Sequence, residues 1–334
     1  MATSYKFPIY TVYIVSGSTK YNVTPALVSV DRQERTEQMA QSVTLQLRNV
    51  KVGDKWLSSL IGVRDRVYVY ADDGNQNGEV FRGYVWTRNY KSSLSNWDIS
   101  LKCYDNLIYL QESEESAFFA SGKSTKEVCK SLCDDWGIEL QYSYESITHS
   151  KLVLRGALAD IFTADILDLV KDRTGKKYAI HSEKDVMKIK TVGSNSTVYH
   201  LVSGKNVTQT DSTVTLDGMV TKVIILGKAD SDKREPIEAT VTGKTSEYGT
   251  LQKIIDRDEN TSLADAKKEA QSIIDEDGSP KWEYEAKGPD IPWIRTGDMV
   301  HIDAGNIDSD LIVTAVDRSC DNKKKEMTLT LIKP

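Results

Sequence analysis

The sequence predicts an α+β fold that is mainly β, in which two antiparallel β-barrel or sandwich domains flank a small α+β domain. Short segments of alternating apolar and polar residues, separated by turn residues, recur in residues 1–110 and again in residues 201–334. The two clearest amphipathic helix patterns lie between them, in residues 111–200. A chain of 334 residues is long enough to bury the cores of two or three such domains.

Strand patterns fill the first domain. Val43, Leu45 and Leu47 are separated by polar residues, so one face of this segment is expected to be buried and the other exposed. A further strand is predicted over residues 80–86. Residues 89–96 are polar and typical of a turn, so the strand is expected to end before them.

The middle domain is predicted from two helices. Ser124 and Glu127 have the spacing of a capping box, and Gly137 is typical of a left-handed helix end. Gly175 ends the second helix in the same way. The apolar residues of that second helix follow the i, i+3, i+4 spacing of one buried face: Leu158, Ile161, Phe162, Ile166, Leu169 and Val170.

The last domain is predicted to be a second β-barrel with one inserted helix. The helix is expected over residues 262–275, and its apolar stripe consists of Leu263, Ala266, Ala270 and Ile273. Strand patterns precede and follow it. The order β, α+β, β therefore suggests two similar barrels around a middle unit.

Four apolar residues outside these patterns are candidates for contact with a partner: Phe118, Phe119, Ile291 and Trp293. The two phenylalanines lie in the acidic segment 111–123, which breaks the strand pattern and is expected to be a linker between domains. Ile291 and Trp293 lie in a turn-like stretch before a strand. Aromatic residues suit interfaces with one dry and one wet side. The alternative is that these residues fold back onto their own domain.

The charge distribution argues against nucleic acid as the main partner. The formal net charge is −6, and no basic stripe with interleaved aromatic residues is present. Residues 1–110 hold 13 basic and 10 acidic residues, whereas residues 201–334 hold 18 and 25. A modestly basic front and an acidic back are suited to complementary neighbours in an assembly. No apolar run has the length of a membrane-spanning helix.

The sequence offers no catalytic, cofactor or metal site. The four histidines lie in separate segments, and the phosphate-loop, dinucleotide and nucleophile-elbow motifs are absent. The four cysteines are expected to be buried free thiols. Asp256, Asp258 and Asn260 imitate the start of a calcium loop, but Lys267 occupies the position where the bidentate glutamate should bind. We therefore expect a non-enzyme.

The order of the segments resembles a known family. WEYEAKG at residues 282–288 and IRTGDMVHI at residues 294–302, followed by strands at 311–316 and 327–331, resemble the last domain of phage baseplate hub proteins, in particular the XkdQ group of contractile tails and defective-prophage tail particles. The middle and N-terminal segments are similar to the same family over residues 124–137, 156–180, 39–47 and 81–85.

This resemblance implies a homotrimer. Each subunit would contribute two tail-tube-like barrels to a pseudo-sixfold ring that joins the tail tube to the spike. The implied partners are further copies of the chain, the tail tube protein and the spike protein, with tape-measure and baseplate wedge proteins as further candidates. The particle would be a contractile phage tail or a tail-like bacteriocin. Because the N-terminus lacks a signal-peptide pattern, assembly is expected in the host bacterial cytoplasm.

Two other function classes stay open. Exposed tryptophans such as Trp282 and Trp293 are typical stacking platforms of a carbohydrate- or cell-surface-binding module. Carboxylates such as Asp134, Asp165 and Glu283 are the residue type that a cell-wall hydrolase would use.

Overall fold

The fold is mainly β. A computed structural model describes residues 7–92, 97–228, 234–257 and 261–334. It contains 51% strand and 18% helix, which confirms the predicted class.

The strands are short and numerous. In chain order they are β1 (Ile9–Ser16), β2 (Thr19–Asn22), β3 (Leu27–Arg35), β4 (Ser42–Arg48), β5 (Lys51–Val52), β6 (Lys55–Trp56), β7 (Arg66–Asp72), β8 (Asn77–Ser92), β9 (Trp97–Tyr104), β10 (Glu114–Phe119), β11 (Glu139–Ser143), β12 (Leu152–Ala157), β13 (Tyr178–Glu183), β14 (Val186–Thr191), β15 (Tyr199–Val202), β16 (Gln209–Thr215), β17 (Lys222–Leu226), β18 (Ile237–Thr242), β19 (Gln252–Asp256), β20 (Lys281–Pro289), β21 (Met299–Ala304), β22 (Ile307–Asp321) and β23 (Lys325–Ile332). The helices are α1 (Leu57–Leu60), α2 (Ile108–Gln111), α3 (Thr125–Asp135), α4 (Leu158–Asp160), α5 (Asp168–Thr174), α6 (Thr245–Tyr248) and α7 (Leu263–Asp277).

The chain forms two compact units, residues 1–211 with 284–334 and residues 212–283. In the first unit the large sheet follows the order β20-β23-β22-β3-β4-β9-β8-β7-β1-β2, and β21 with β15 extends it from β22. In the second unit α7 packs against the three-stranded sheet β18-β17-β19. Strands from both ends of the sequence therefore share one sheet, because β22 pairs antiparallel with β3.

Alternation along β4 places one face in the core, as predicted. Val43, Leu45 and Leu47 are fully buried, and they pack with the inward residues of β1, β7, β8 and β9 in one hydrophobic cluster. The sheet path stays open among the described strands, and no closed barrel is found there. The two barrels and the domain boundaries at residues 110 and 200 therefore stay predictions.

Strand β8 is longer than the sequence pattern predicts. It continues to Ser92, so the predicted turn is wrong for residues 89–92, while residues 93–96 lie outside the described part of the chain. The polar residues of this extension are stabilised by pairing with β9, from Thr87↔Lys102 to Ser92↔Trp97. The polar residues of this extension are exposed, but they still belong to the strand.

The first helix of the middle segment is confirmed. The Ser124 side chain accepts from the amide of Glu127, whose carboxylate accepts from the Ser124 amide, so the capping box is complete. Gly137 and Gly175 both have positive φ, at 64° and 71°, and lie at the ends of their helices. Cys129 and Cys133 on α3 are free and buried, as are the other two cysteines.

The second helix differs from the predicted regular pattern. Between α4 and α5 the chain forms a π-helix over Ile161–Leu167. A π-helix has more residues per turn than an α-helix, so the buried face shifts along the sequence. As a result Leu167 is fully buried and Leu169 is 38% exposed, while the other five residues of the predicted stripe are fully buried as expected.

Two further segments complete the fold. The acidic segment predicted as a linker contains β10, which pairs antiparallel with β12 in a two-stranded ribbon. Helix α7 matches the predicted inserted helix, and Ala266, Ala270 and Ile274 form its buried stripe. Leu263, at the first position of the helix, is 36% exposed.

Candidate assembly surfaces

In the residues that the structure describes, the histidines do not belong to a group that could hold a metal ion. His149 is buried beside Thr125, with 2.9 Å between Nε2 and the hydroxyl. His181 is also buried, and burial together with Arg295 lowers its pKa well below the ordinary value. His200 and His301 lie 5.0 Å apart between ring centroids because β15 and β21 pair in parallel. The two rings are tilted by 43° to each other, and the spacing of these histidines along the sequence does not indicate their proximity.

The candidate carboxylates lie on solvent-facing surfaces. Asp134 on α3 is exposed and pairs with Lys130 at 2.6 Å, and Asp165 is exposed on the π-helix. Glu283 is likewise exposed in β20. Such exposed charges are typical of a solvated surface. Residues 258–260 of the calcium-like segment lie outside the described residues, and Asp256 is the last residue of β19.

Ile291 and Trp293 make contacts within their own chain. Ile291 packs against the cluster formed by β20 to β23, and Trp293 packs against the cluster of the N-terminal strands. The indole N–H of Trp293 donates to Asp73 Oδ2 at 2.7 Å, and its ring lies beside Gly78. This turn therefore contacts both the N-terminal and the C-terminal strands of the chain. The alternative interpretation, in which these two residues fold back onto their own domain, expects such contacts.

A sealed polar network lies beneath that turn. Arg318 on β22 and Asp290 form an ion pair at 2.9 Å, and both side chains are completely buried. Arg318 lies directly opposite Arg32 on β3. The Tyr10 hydroxyl links Arg32 to Asp290, because it accepts from Arg32 at 3.1 Å and donates to Asp290. Burial, reinforced by Arg32, lowers the pKa of Arg318. The pairing is incomplete, because Arg318 Nη1 and Arg32 Nε are buried without a hydrogen-bond partner among the described residues.

The same network extends to the middle segment. Arg295 pairs with Glu34 on β3 at 2.8 Å; burial raises the pKa of Glu34, but Arg295 outweighs it and holds the pKa below the ordinary value. Asp105 is buried and accepts from the amides of Gln41 and Leu107. Burial raises its pKa to about 7. These groups fix the elements of the first unit and offer no open site.

The phenylalanines lie on the β10–β12 ribbon. Phe119 and Ala117 face inward and pack against the core of the middle segment. Phe118 faces outward, is 64% exposed, and stands directly across from Val153, which is 70% exposed. An exposed apolar pair of this kind is suited to contact with another protein.

A second exposed surface is not indicated by the sequence pattern. From Trp86 to Ser92 every residue of β8 is exposed, and this half of the strand pairs with β9 but not with β7, whose pairing ends at Arg66↔Tyr84. The ring of Trp86 is held edge-on against Tyr104 and Tyr109. The alternation of large side chains at residues 86, 88 and 90 was the available signal, but the polar residues between them hid it.

The sequence matches the YqbQ-like family over residues 32–332. The chain belongs to the YqbQ-like family. Among its relatives, the uncharacterized protein YqbQ of Bacillus subtilis (strain 168) is 26% identical over 196 residues, which span 58% of each chain. The phage-like element PBSX protein XkdQ of the same organism is 22% identical over 280 residues, covering 80% of this chain and 84% of XkdQ. The match to YqbQ thus spans little more than half of that protein.

Solved structures share the fold of this YqbQ-like protein. The 43 kDa tail protein of prophage MuSo2 from Shewanella oneidensis has a TM-score of 0.71 at 15% identity, over 98% of this chain and 99% of the other. A tail protein from Neisseria meningitidis MC58 has a TM-score of 0.70 at 14% identity, over 97% and 96%. The E. coli c3393 protein, a component of the type VI secretion system with structural similarity to the T4 tail proteins gp27 and gp5, has a TM-score of 0.59 at 9% identity, over 92% and 74%.

The chain thus shares its family with YqbQ and its fold with phage tail proteins, in agreement with the resemblance found in the sequence. Within the described residues, no helix is long and apolar enough to cross a membrane.

Proposed function

We propose that this YqbQ-like protein is a baseplate hub, three copies of which form a pseudo-sixfold ring that joins the tail tube to the spike. The observation that carries the proposal is the fold similarity to a phage tail protein over nearly the full length of both chains. The particle is a contractile phage tail or a tail-like bacteriocin, and the protein acts as a coupling and not as an enzyme.

The first unit has the properties that a ring subunit needs. Its strands from both ends of the sequence are held together by a buried polar network, so the subunit can bear load without opening. Its unpaired strand edges and exposed aromatic residues are suited to contacts with other chains. Tube, spike, tape-measure and baseplate wedge proteins are the proposed partners.

Reconstitution with the tube and spike proteins of the same tail particle tests the proposal. We expect electron microscopy of the mixture to show a ring of this protein at the junction between tube and spike. A protein that binds neither partner, and that leaves the tube without a spike, contradicts the proposal. Co-expression in a bacterial host without other phage proteins serves as the control for indirect assembly.

The alternative functions predict different results. A hydrolase clears purified cell wall in a gel assay, and a carbohydrate-binding module binds glycan arrays. The contacts of Trp293 within the chain leave less of its ring available for stacking on a sugar. We therefore expect neither activity from the purified protein.

A further inference from the structure

Two strand edges in the first unit have no partner in the described chain. The first is the distal half of β8, from Trp86 to Ser92, which pairs with β9 on one side only. The last backbone bonds on its other side are made by Val85, whose amide donates to Asp65 and whose carbonyl accepts from Arg64. All the residues beyond it are exposed, and none is proline. Free edges of this length are usually protected, because they pair readily with other chains.

The second edge belongs to β10, from Glu114 to Phe119. Among the described strands it pairs with β12 alone. The amide of Ser116 donates to the carboxylate of its own neighbour, Glu115, at 2.8 Å. Such a local bond is what an amide on an open strand edge can form in place of a strand partner.

The two edges are complementary in charge and similar in length. The distal half of β8 carries Arg88 and Lys91 and no acidic residue, and β10 carries Glu114 and Glu115 and no basic residue. Each also presents aromatic side chains, with Trp86 39% exposed and Phe118 64% exposed. β10 has six residues, about the length of the free half of β8.

We propose that the free edge of β8 in one copy pairs antiparallel with the β10 edge of the next copy. The occupant of each edge is thus a second copy of this chain. The contact joins two different surfaces, so it is heterologous, and repetition around a threefold axis closes a ring. The inference rests on the proposed hub function, and it names the strands that hold the ring together.

Charge selects the register of this pairing. With Asn89 opposite Ser116, an antiparallel ladder places Lys91 opposite Glu114 and Trp86 opposite Phe119. The guanidinium of Arg88 already donates to the carbonyls of Ser58 and Ile61 at 2.8 and 2.6 Å, so the charge argument for this register rests on Lys91 and Glu114. Parallel pairing with the same Asn89–Ser116 match moves Lys91 opposite Phe118 and Glu114 opposite Thr87, so the pair between Lys91 and Glu114 is lost.

Cysteine cross-linking between two differently tagged variants tests the contact. One carries Asn89→Cys and the other Ser116→Cys, and the four native cysteines are buried and do not compete. After mixing under conditions that exchange subunits, and after mild oxidation, we expect a disulfide between the two tags. The matched control replaces Asn89→Cys with Asn75→Cys, at the exposed turn between β7 and β8, and should give at least tenfold less product.

The outcomes separate the contact from the hub function. Trimers that form without a disulfide between the two tagged variants, or with equal product from the control, overturn the strand pairing and leave the hub proposal standing. A protein that stays monomeric with tube and spike proteins present overturns both.

A charge exchange gives a second test that needs no oxidation. Lys91→Glu or Glu114→Lys alone should weaken trimer formation about fivefold per contact, because each places like charges opposite one another. The double variant carries the reversed pair and should recover. If trimer formation by the double variant is weakened by the product of the two single effects, Lys91 and Glu114 do not face each other and the register is wrong.

Discussion

Phe118 and Trp293 have the same sequence signature but opposite environments. Both are aromatic residues in segments without a clear helix or strand pattern, and both were predicted to contact a partner. In the structure Trp293 packs against the N-terminal strands and bonds to Asp73, whereas Phe118 is 64% exposed on a two-stranded ribbon. The turn at Trp293 therefore stabilises the subunit, and the ribbon remains available to other chains.

The difference teaches that long-range strand pairing decides which aromatic residues are free. Residues 290–294 meet the N-terminal strands only because β22 pairs with β3. The ribbon has no third strand in the described chain to cover it. Four substitutions test this comparison.

Breaking the ion pair beneath the turn should have the largest effect. Arg318→Ala removes the ion pair of the buried Asp290 carboxylate but keeps its bond from Tyr10, and we expect the free energy of unfolding to fall by about 3–5 kcal/mol. Urea denaturation followed by circular dichroism measures the loss. Arg35→Ala is the matched control, because its pair with Asp317 is partly exposed and should cost less than about 1 kcal/mol. Equal losses for the two variants would show that burial does not set the strength of these pairs.

Removing the indole of Trp293 should have the next largest effect. Trp293→Ala loses the packing of a half-buried ring and the bond to Asp73, so we expect a loss of about 2–3 kcal/mol. Thermal unfolding of the isolated protein provides the measurement. A loss below about 0.5 kcal/mol contradicts the assignment of this turn to the interior.

Asp105 should make stability depend on pH. Its pKa is raised by burial to about 7, so between about pH 4 and 7 the folded chain keeps a proton that the unfolded chain has lost. The contribution of Asp105 to the free energy of unfolding therefore falls as pH rises through this window. Above pH 7 the buried carboxyl is charged in the folded chain, and the destabilisation is complete. Asp105→Asn removes this titration, so the stability of the variant relative to the natural protein should improve by about 2 kcal/mol from pH 5 to pH 8. A difference that does not change with pH contradicts this account.

Phe118 should have the smallest effect on folding. Phe118→Ser removes an exposed side chain, and we expect the free energy of unfolding to change by less than about 0.5 kcal/mol. Trimer formation should nevertheless weaken, because the ribbon loses its most exposed aromatic group. Sedimentation velocity over a concentration series measures the fraction of trimer. A variant that unfolds easily but still assembles would reverse the roles given to Phe118 and Trp293.

Local structure could be predicted from the sequence where local contacts specify it. The capping box at Ser124 and the alternation of β4 are confirmed, because both depend on residues a few positions apart. The π-helix could not be predicted, since the i, i+3, i+4 pattern fits an α-helix equally well. The extension of β8 was missed because its stability comes from pairing with β9 and not from its own composition.

The candidate contact surface was only half predictable. The sequence singles out Phe118 as an aromatic residue in an acidic segment without a strand pattern, and its contact with a partner stays a prediction. The contacts of Ile291 and Trp293 within the chain could not be predicted, since the neighbouring Asp290 meets Arg318 and Tyr10 through sequence separations of 28 and 280 residues. No periodicity in the sequence carries that information.

The native mass of the purified protein tests the central claim most directly. If the chain is a ring subunit, native mass spectrometry should show complexes of three copies of the 37.4 kDa chain, alone or with the tube protein added. A single chain at every concentration, unchanged by the tube protein, would contradict the account.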